Sequence, residues 1–186
     1  MRIVAGKFRG RRLKSPPGSQ TRPTSDRLRE TLFNILAPRI AGARFLDLCA
    51  GTGAVGIEAL SRGAAHVSFV DQSRTMCGLI EMNLEALDIE QQSVEVAVAS
   101  ALEFLRRQAK NAEHGFDIMF FDPPYATDYE AVLNVIADHS STILNAEGIV
   151  IVEHHKKKLL GDEFNTLSRY RELRQGDSVL SFYRPS

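Results

Sequence analysis

From residue 44 onward, short apolar runs alternate with longer amphipathic stretches, and no other feature of the chain restricts its fold so tightly. Runs of four to six residues rich in Val, Ile, Phe or Leu fall at 44–48, 66–70, 93–97, 116–121 and 148–153. Helical periodicity fits the stretches near 54–62, 73–87, 101–110 and 128–140. Buried strands separated by amphipathic helices predict a parallel sheet with crossover connections. The last part changes character: 164–173 and 178–183 read as two strands about Gln175-Gly176-Asp177, a hairpin that ends the sheet. The expected class is α/β, mostly parallel, with an antiparallel C-terminal strand. Upstream of residue 44, the segments 2–6 and 11–14 read as short strands about Gly10, followed by a Pro/Gly/Ser linker at 15–20. Pro23-Thr24-Ser25-Asp26 then supplies capping residues for a helix that runs to about Leu36 and stops before Pro38.

With 186 residues, 44% of them hydrophobic, the chain can bury one sizeable core. Its formal net charge of zero conceals an asymmetry. Residues 1–44 hold eleven Lys and Arg against Asp26 and Glu30, while the remainder holds twelve against twenty-one acids, so one end is about +9 and the rest about −9. A basic surface on an acidic body suits a polyanionic partner, and the chain divides into a basic extension at 1–43 and a main domain at 44–186. Cys49 and Cys77 have no metal-ligand spacing and read as reduced thiols. Met1-Arg2-Ile3-Val4 opens no secretory leader, and no run approaches the length of a membrane span. The expectation is a soluble cytoplasmic protein.

Asp47-Leu48-Cys49-Ala50-Gly51-Thr52-Gly53-Ala54-Val55-Gly56 follows the first predicted strand and opens the first predicted helix after it, so bare backbone can approach a ligand at a helix N-terminus. Twenty residues beyond Gly51, Asp71 ends the second strand, where a carboxylate can bind the hydroxyls of an adenosine ribose. That spacing is shared by NAD and S-adenosylmethionine sites. Asp47, just before the glycines, would repel a pyrophosphate and could pair with a cationic amino group, which favours S-adenosylmethionine.

The second chemical signal is Asp122-Pro123-Pro124-Tyr125, directly after Ile118-Met119-Phe120-Phe121. An Asp-Pro alone would be a turn after a buried strand, but the second Pro and the Tyr add chemistry. Two prolines fix a sharp loop at a strand end, where a carboxylate, a carbonyl and an aromatic ring can converge on a planar substrate. The exocyclic amine of a nucleobase is a poor nucleophile because its lone pair is delocalised. Acceptors at Asp122 and the Pro123 carbonyl would grip its N–H bonds, while Tyr125 stacks on the base. Such a loop looks like that of an amino-group methyltransferase. Elsewhere, His154-His155 lacks a carboxylate or Cys partner at metal spacing, so no metal is expected; Lys156-Lys157-Lys158 reads as a solvated helix end and Phe104 as core.

Taken with Arg2-Ile-Val-Ala-Gly6, Arg9-Gly-Arg-Arg-Leu13, Arg22-Pro-Thr-Ser-Asp-Arg-Leu-Arg-Glu30, the string Gly51 to Gly63 and Gly176-Asp-Ser, these motifs resemble the RsmD-type family of bacterial 16S ribosomal RNA guanine-N2 methyltransferases, within the class I S-adenosylmethionine-dependent enzymes. The resemblance spans nearly the whole chain. It implies a seven-stranded Rossmann-like sheet, a small basic N-terminal extension, and methylation of one guanine of 16S rRNA within the assembled small ribosomal subunit; a monomer is expected. The cofactor residues would be Asp47, Gly51, Gly53 and Asp71, with Ser100 and Ala101 on the adenine side, although Ser100 stands where many relatives carry Asp. The catalytic set would be Asp122, Pro123 and Tyr125, acting on a base drawn out of its stack. Arg9, Arg11, Arg12, Arg22, Arg27 and Arg29 would contact RNA phosphates, which match guanidinium forks. Three rivals stay open: adenine-N6 or cytosine-N4 methylation of DNA, which shares the Asp-Pro-Pro-Tyr loop; a NAD-dependent dehydrogenase, for which the chain after residue 153 leaves little substrate domain; and a non-catalytic RNA-binding protein.

Overall fold

Side chains of successive strand residues point to opposite faces of a sheet, and here both faces are apolar because both are covered. The computed structural model describes residues 1–16, 26–111 and 114–186; residues 17–20 of the linker, Arg22 and the capping residues Pro23-Thr24-Ser25 lie outside them. In chain order the elements are α1 (Asp26–Leu36), β1 (Arg44–Leu48), α2 (Ala54–Ser61), β2 (His66–Asp71), α3 (Arg74–Ala86), β3 (Val94–Val98), α4 (Ala101–Asn111), β4 (Phe116–Phe121), α5 (Tyr129–Asp138), the single turn α6 (Ser140–Ile143), β5 (Leu144–His155), β6 (Glu163–Phe164), β7 (Leu167–Gln175) and β8 (Ser178–Pro185). Among the described residues the sheet has eight strands in the order β3-β2-β1-β4-β5-β8-β7-β6. The strands β1 to β5 are parallel where they pair, and β8 lies antiparallel between β5 and β7. The α/β class and the antiparallel ending are as expected. The strand beyond the expected seven is the two-residue β6.

One face of the sheet, with Phe45, Val67, Phe69, Ile118, Phe120, Ile149, Ile151 and Phe182, packs against residues of α1, α2 and α3. The other, with Leu46, Leu48, Val70, Met119, Phe121, Val150 and Val152, packs against α4, α5 and α6. Phe104 is fully buried there, as its place on the apolar face of α4 predicts. Among the described residues no helix is long and apolar enough to cross a membrane.

The basic extension is built into this core. Ile3, Leu13, Leu28, Leu32, Phe33 and Leu36 belong to the same apolar cluster as Phe45 and Phe69. Its two expected strands reduce, among the described residues, to one antiparallel bridge between Arg2 and Arg12. The reason lies in α2, whose Glu58 and Ser61 take N–H groups that a longer ladder would need. Glu58, fully buried, accepts the N–H groups of Val4 (2.8 Å) and Ala5 (2.9 Å), and Ser61 accepts those of Lys7 through its carbonyl (2.7 Å) and Phe8 through its hydroxyl (3.0 Å). A second correction concerns Lys156-Lys157-Lys158, which forms a turn after β5 and not a helix end.

Candidate active site

Strand β1 is flanked by β2 on one side and β4 on the other, so the strand order reverses at β1. Ligands of open α/β sheets bind at the carboxyl ends of the strands at such a point. Leu48, the last residue of β1, pairs with Val70 and with Phe121, so the residues that follow these three, Cys49, Asp71 and Asp122, emerge side by side.

The glycine loop turns sharply from β1 into α2. Gly51 and Gly53 have left-handed φ values of 54° and 75°, conformations that favour glycine. A methyl group added to Gly51 would project into open space, so the bare backbone is presented outward. Gly56 serves packing instead: a Cβ there would lie 2.3 Å from the Phe69 ring. Asp71, half-buried at the end of β2, accepts the Gly51 N–H through Oδ2 (2.9 Å) and the Ser73 N–H through Oδ1 (2.8 Å). It ties the loop to the neighbouring strand while keeping lone pairs for a ligand's hydroxyls.

Asp47 lies beneath the loop, 2% exposed, and its Oδ2 accepts the Gly56 N–H at 2.8 Å. That N–H belongs to the first turn of α2, where amides lack helical partners. Burial, aided by the nearby Asp71, pushes the Asp47 carboxyl up to about 7, against the lowering effect of the Gly56 bond. Asp47 thus supports the loop from beneath through the Gly56 N–H. Burial and the surrounding Asp71, Asp122 and Asp47 push the Cys49 thiol up to about 12, which keeps it neutral.

Ala99 donates its N–H to the Asp71 carbonyl (3.1 Å), which sets Ser100 and Ala101 beside the same strand end. Ser100 is the N-cap of α4: its hydroxyl accepts the Glu103 N–H (3.3 Å), and the Glu103 carboxylate accepts from the Ser100 N–H (3.0 Å) and hydroxyl (2.8 Å). This reciprocal capping box, spelled Ser100-Ala-Leu-Glu103, engages the hydroxyl that sequence reasoning set aside for adenine. Ala101 is buried behind it.

The Asp122 N–H reaches the Leu48 carbonyl (3.4 Å), and the Thr127 N–H closes the proline turn on the Pro124 carbonyl (2.9 Å). Pro123 is buried and Tyr125 is 74% exposed, so the ring is available for stacking. Sequence reasoning missed Tyr129, whose fully buried ring packs edge-on to Phe121 and whose hydroxyl donates to the Pro123 carbonyl at 3.4 Å. Burial, with Asp122 nearby, pushes its phenol up to about 12, so it remains a donor. Its place at the first position of the helix that follows the prolines was the available signal. His155, at the end of β5, sets its ring edgewise to Tyr125 at 5.9 Å. His154 is instead buried against the Ser181 hydroxyl at 2.9 Å, and burial lowers its pKa. Among the described residues, no group of three or more His, Cys, Asp or Glu is placed to hold a metal ion.

Arg9, Arg11, Arg12 and Arg27 are exposed, with Arg11 donating to the Ala86 carbonyl at 2.8 Å, and Arg22 lies outside the described residues. Arg29 is a correction. It is fully buried, donating to the Arg2 carbonyl and to Asp26 (2.9 Å) and facing Glu58 at 3.6 Å, so it cannot reach RNA phosphates. An Arg in a helix rich in charge looked external because its buried acidic partner, Glu58, lies twenty-nine residues away, while Asp26, three residues before it, is half exposed.

Comparison with known proteins fits this geometry. The profile of a family described as "Conserved hypothetical protein 95" matches residues 1–184. The ribosomal RNA small subunit methyltransferase D of Escherichia coli K12 is 36% identical over 185 residues, covering 99% of this chain and 89% of that protein. The solved structure of the E. coli protein yhhF superposes with a TM-score of 0.84 at 33% identity, covering 100% of this chain and 98% of that one. The fold is shared more distantly with SMU.776, solved in complex with SAH (TM-score 0.66, 16% identity, 84% of this chain and 49% of that one).

Proposed function

Because the chain belongs to the RsmD family of ribosomal RNA methyltransferases, we propose that it methylates the exocyclic N2 of one guanine in 16S rRNA, within the assembled small ribosomal subunit, acting as a cytoplasmic monomer without a metal. The observation that carries this reading is the meeting of two loops at the carboxyl ends of β1, β2 and β4: the Gly51–Asp71 cradle and the Asp122-Pro123-Pro124-Tyr125 turn. The cofactor fit rests on the open backbone at Gly51 and on the carboxylate of Asp71 beside it. Asp47 already answers the first turn of α2, which disfavours a pyrophosphate there. Gly51, Gly53 and Asp71 would hold S-adenosylmethionine, which supplies an electrophilic methyl group.

The protein's own part is positioning. Asp122 and the Pro123 carbonyl accept the two N–H bonds of the guanine amine, which localises its lone pair for attack. Tyr129 fixes the direction of that carbonyl from beneath. Tyr125 stacks on the extruded base, and Asp122 can receive the proton released after transfer. The exposed Arg9, Arg11, Arg12 and Arg27, with Arg22, hold the phosphates.

The test is transfer of radiolabelled methyl from S-adenosylmethionine to unmethylated small subunits, naked 16S RNA, large subunits and duplex DNA, followed by nucleoside analysis. N2-methylguanosine in small subunits is the expected product. Methyladenine or methylcytosine in DNA would overturn the substrate. The Asp122→Ala protein is expected to bind cofactor as the parent does and to transfer at least about a hundredfold more slowly, the scale of losing an aligned polar group at the reacting centre.

A further inference from the structure

We propose that the turn at 155–159 is a second RNA-contact element: Lys157 holds a phosphate beside the target nucleotide, and Leu159 occupies the gap left in the base stack when that nucleotide is extruded. The inference rests on the functional reading above and extends it to an element other than the basic extension. The extension lies along α2 and α3, with Lys14 on Asn83, Arg11 on Ala86 and Met1 beside Thr52 of the glycine loop. The turn leaves β5, which borders β4 on its other side.

The turn has a fixed backbone. Lys156 donates its N–H to the Asp177 carbonyl (2.8 Å), Lys157 to His155 Nδ1 (3.1 Å) and Lys158 to the His155 carbonyl (2.8 Å). It is joined to the catalytic loop through the His155 ring against Tyr125, and to the start of α5 behind that loop through Lys158, whose Nζ lies 5.2 Å over the Tyr129 ring. Two of the lysines therefore have local tasks, Lys156 pairing with Asp177 at 2.9 Å and Lys158 covering Tyr129. Lys157 is exposed.

Leu159 is 84% exposed, whereas Leu160 beside it is 7% exposed and packed in the core. Leu159 and Tyr125 are the two most exposed large hydrophobic side chains among the described residues, and they stand on turns in contact with each other. A turn serving solubility alone gains nothing from an aliphatic tip. A nucleic acid strand with one base drawn out has use for both features: a cation for its backbone, and an apolar wedge against the neighbours of the vacated position. His155 fits the same surface, since acceptance by Nδ1 leaves the neutral ring's proton on Nε2, a donor for phosphate oxygen.

The experiment compares the full chain with Lys157→Ala, Leu159→Ala and Leu159→Met in steady-state methyl transfer to unmethylated small subunits over a range of KCl, with S-adenosylmethionine affinity measured by calorimetry on each protein. Lys157→Ala is expected to raise the substrate KM about threefold or more and to make its salt dependence shallower by about one phosphate contact. Leu159→Ala is expected to lower kcat about fivefold or more, Leu159→Met to retain it, and cofactor affinity to stay at the parental value throughout. Kinetics within twofold of the parent for Lys157→Ala and Leu159→Ala, with the parent active, would overturn this inference alone. A matching loss of cofactor affinity would also overturn it, marking the turn as structural. A parent that labels no RNA would overturn the functional reading and this inference with it.

Discussion

Asp47 couples the stability of the protein to pH. Its carboxyl ionises with a pKa near 3.8 when solvated and is raised to about 7 by burial in the fold. The folded state therefore holds a proton that the unfolded chain releases between those values, and stability falls as pH rises through that window. The contribution is fully present below about pH 4 and lost above about pH 7. Asp47→Asn keeps an oxygen for the Gly56 N–H but cannot titrate. Denaturant unfolding of both proteins from pH 4 to 8 should show the parent losing on the order of a few kcal/mol relative to the variant across that window, then running parallel to it. At this scale the sequence disclosed what spacing encodes. Asp71 and Gly51 stand twenty residues apart because one strand and one helix separate adjacent strand ends, and the two are indeed hydrogen-bonded. What spacing does not encode is which way a side chain turns once neighbouring N–H groups compete for it. Asp47 turns under the loop toward Gly56, and Arg29 turns inward toward Glu58.

The elements were legible wherever apolar period and caps agreed. The strands β1 and β4 fall on their expected residues, and α3 and α5 begin one residue after the predicted starts because Ser73 and Asp128 are their caps. Strand β5 begins earlier than its apolar run, at Leu144, because Leu144 pairs with Phe116 across a register irregularity that no local pattern announces. The start of α4 carries a capping box, Ser100 with Glu103, that apolar period alone does not announce. Ser100→Ala is accordingly expected to lower unfolding free energy by about 1 kcal/mol while leaving S-adenosylmethionine affinity within about twofold, checked by urea denaturation and calorimetry. Gly56→Ala addresses the packing of α2 on β2. The added methyl must displace the Phe69 ring, and overpacking of this kind costs about 1–3 kcal/mol. Because α2 carries the glycine loop, cofactor affinity should fall in the same protein.

Across the whole molecule, the charge asymmetry marked a basic extension, and what it did not disclose is that Ile3, Leu13 and Phe33 of that extension share the core of the sheet. Glu58 ties the two together: one buried carboxylate receives two backbone N–H groups of the extension, Arg62 at 2.8 Å and Arg29 at 3.6 Å. Sequence could not reveal this, since an acid four residues before Arg62 in a helix reads as half of a local ion pair. Glu58→Ala would leave Arg29 with Asp26 as its one carboxylate and strip the Val4 and Ala5 N–H groups of their acceptor, and should destabilise the protein by about 3 kcal/mol or more, with limited proteolysis cutting first within residues 1–14. The position of β8 carries a consequence for biosynthesis. Since this strand inserts between β5 and β7, the long hydrogen-bonding edge of β5 stays open until residues 178–185 have been translated and have left the ribosomal tunnel. An unpaired edge of this kind is a template for aggregation, so premature stop codons before Ser178 should yield insoluble chains even though the glycine loop and the Asp122–Tyr125 turn are already made.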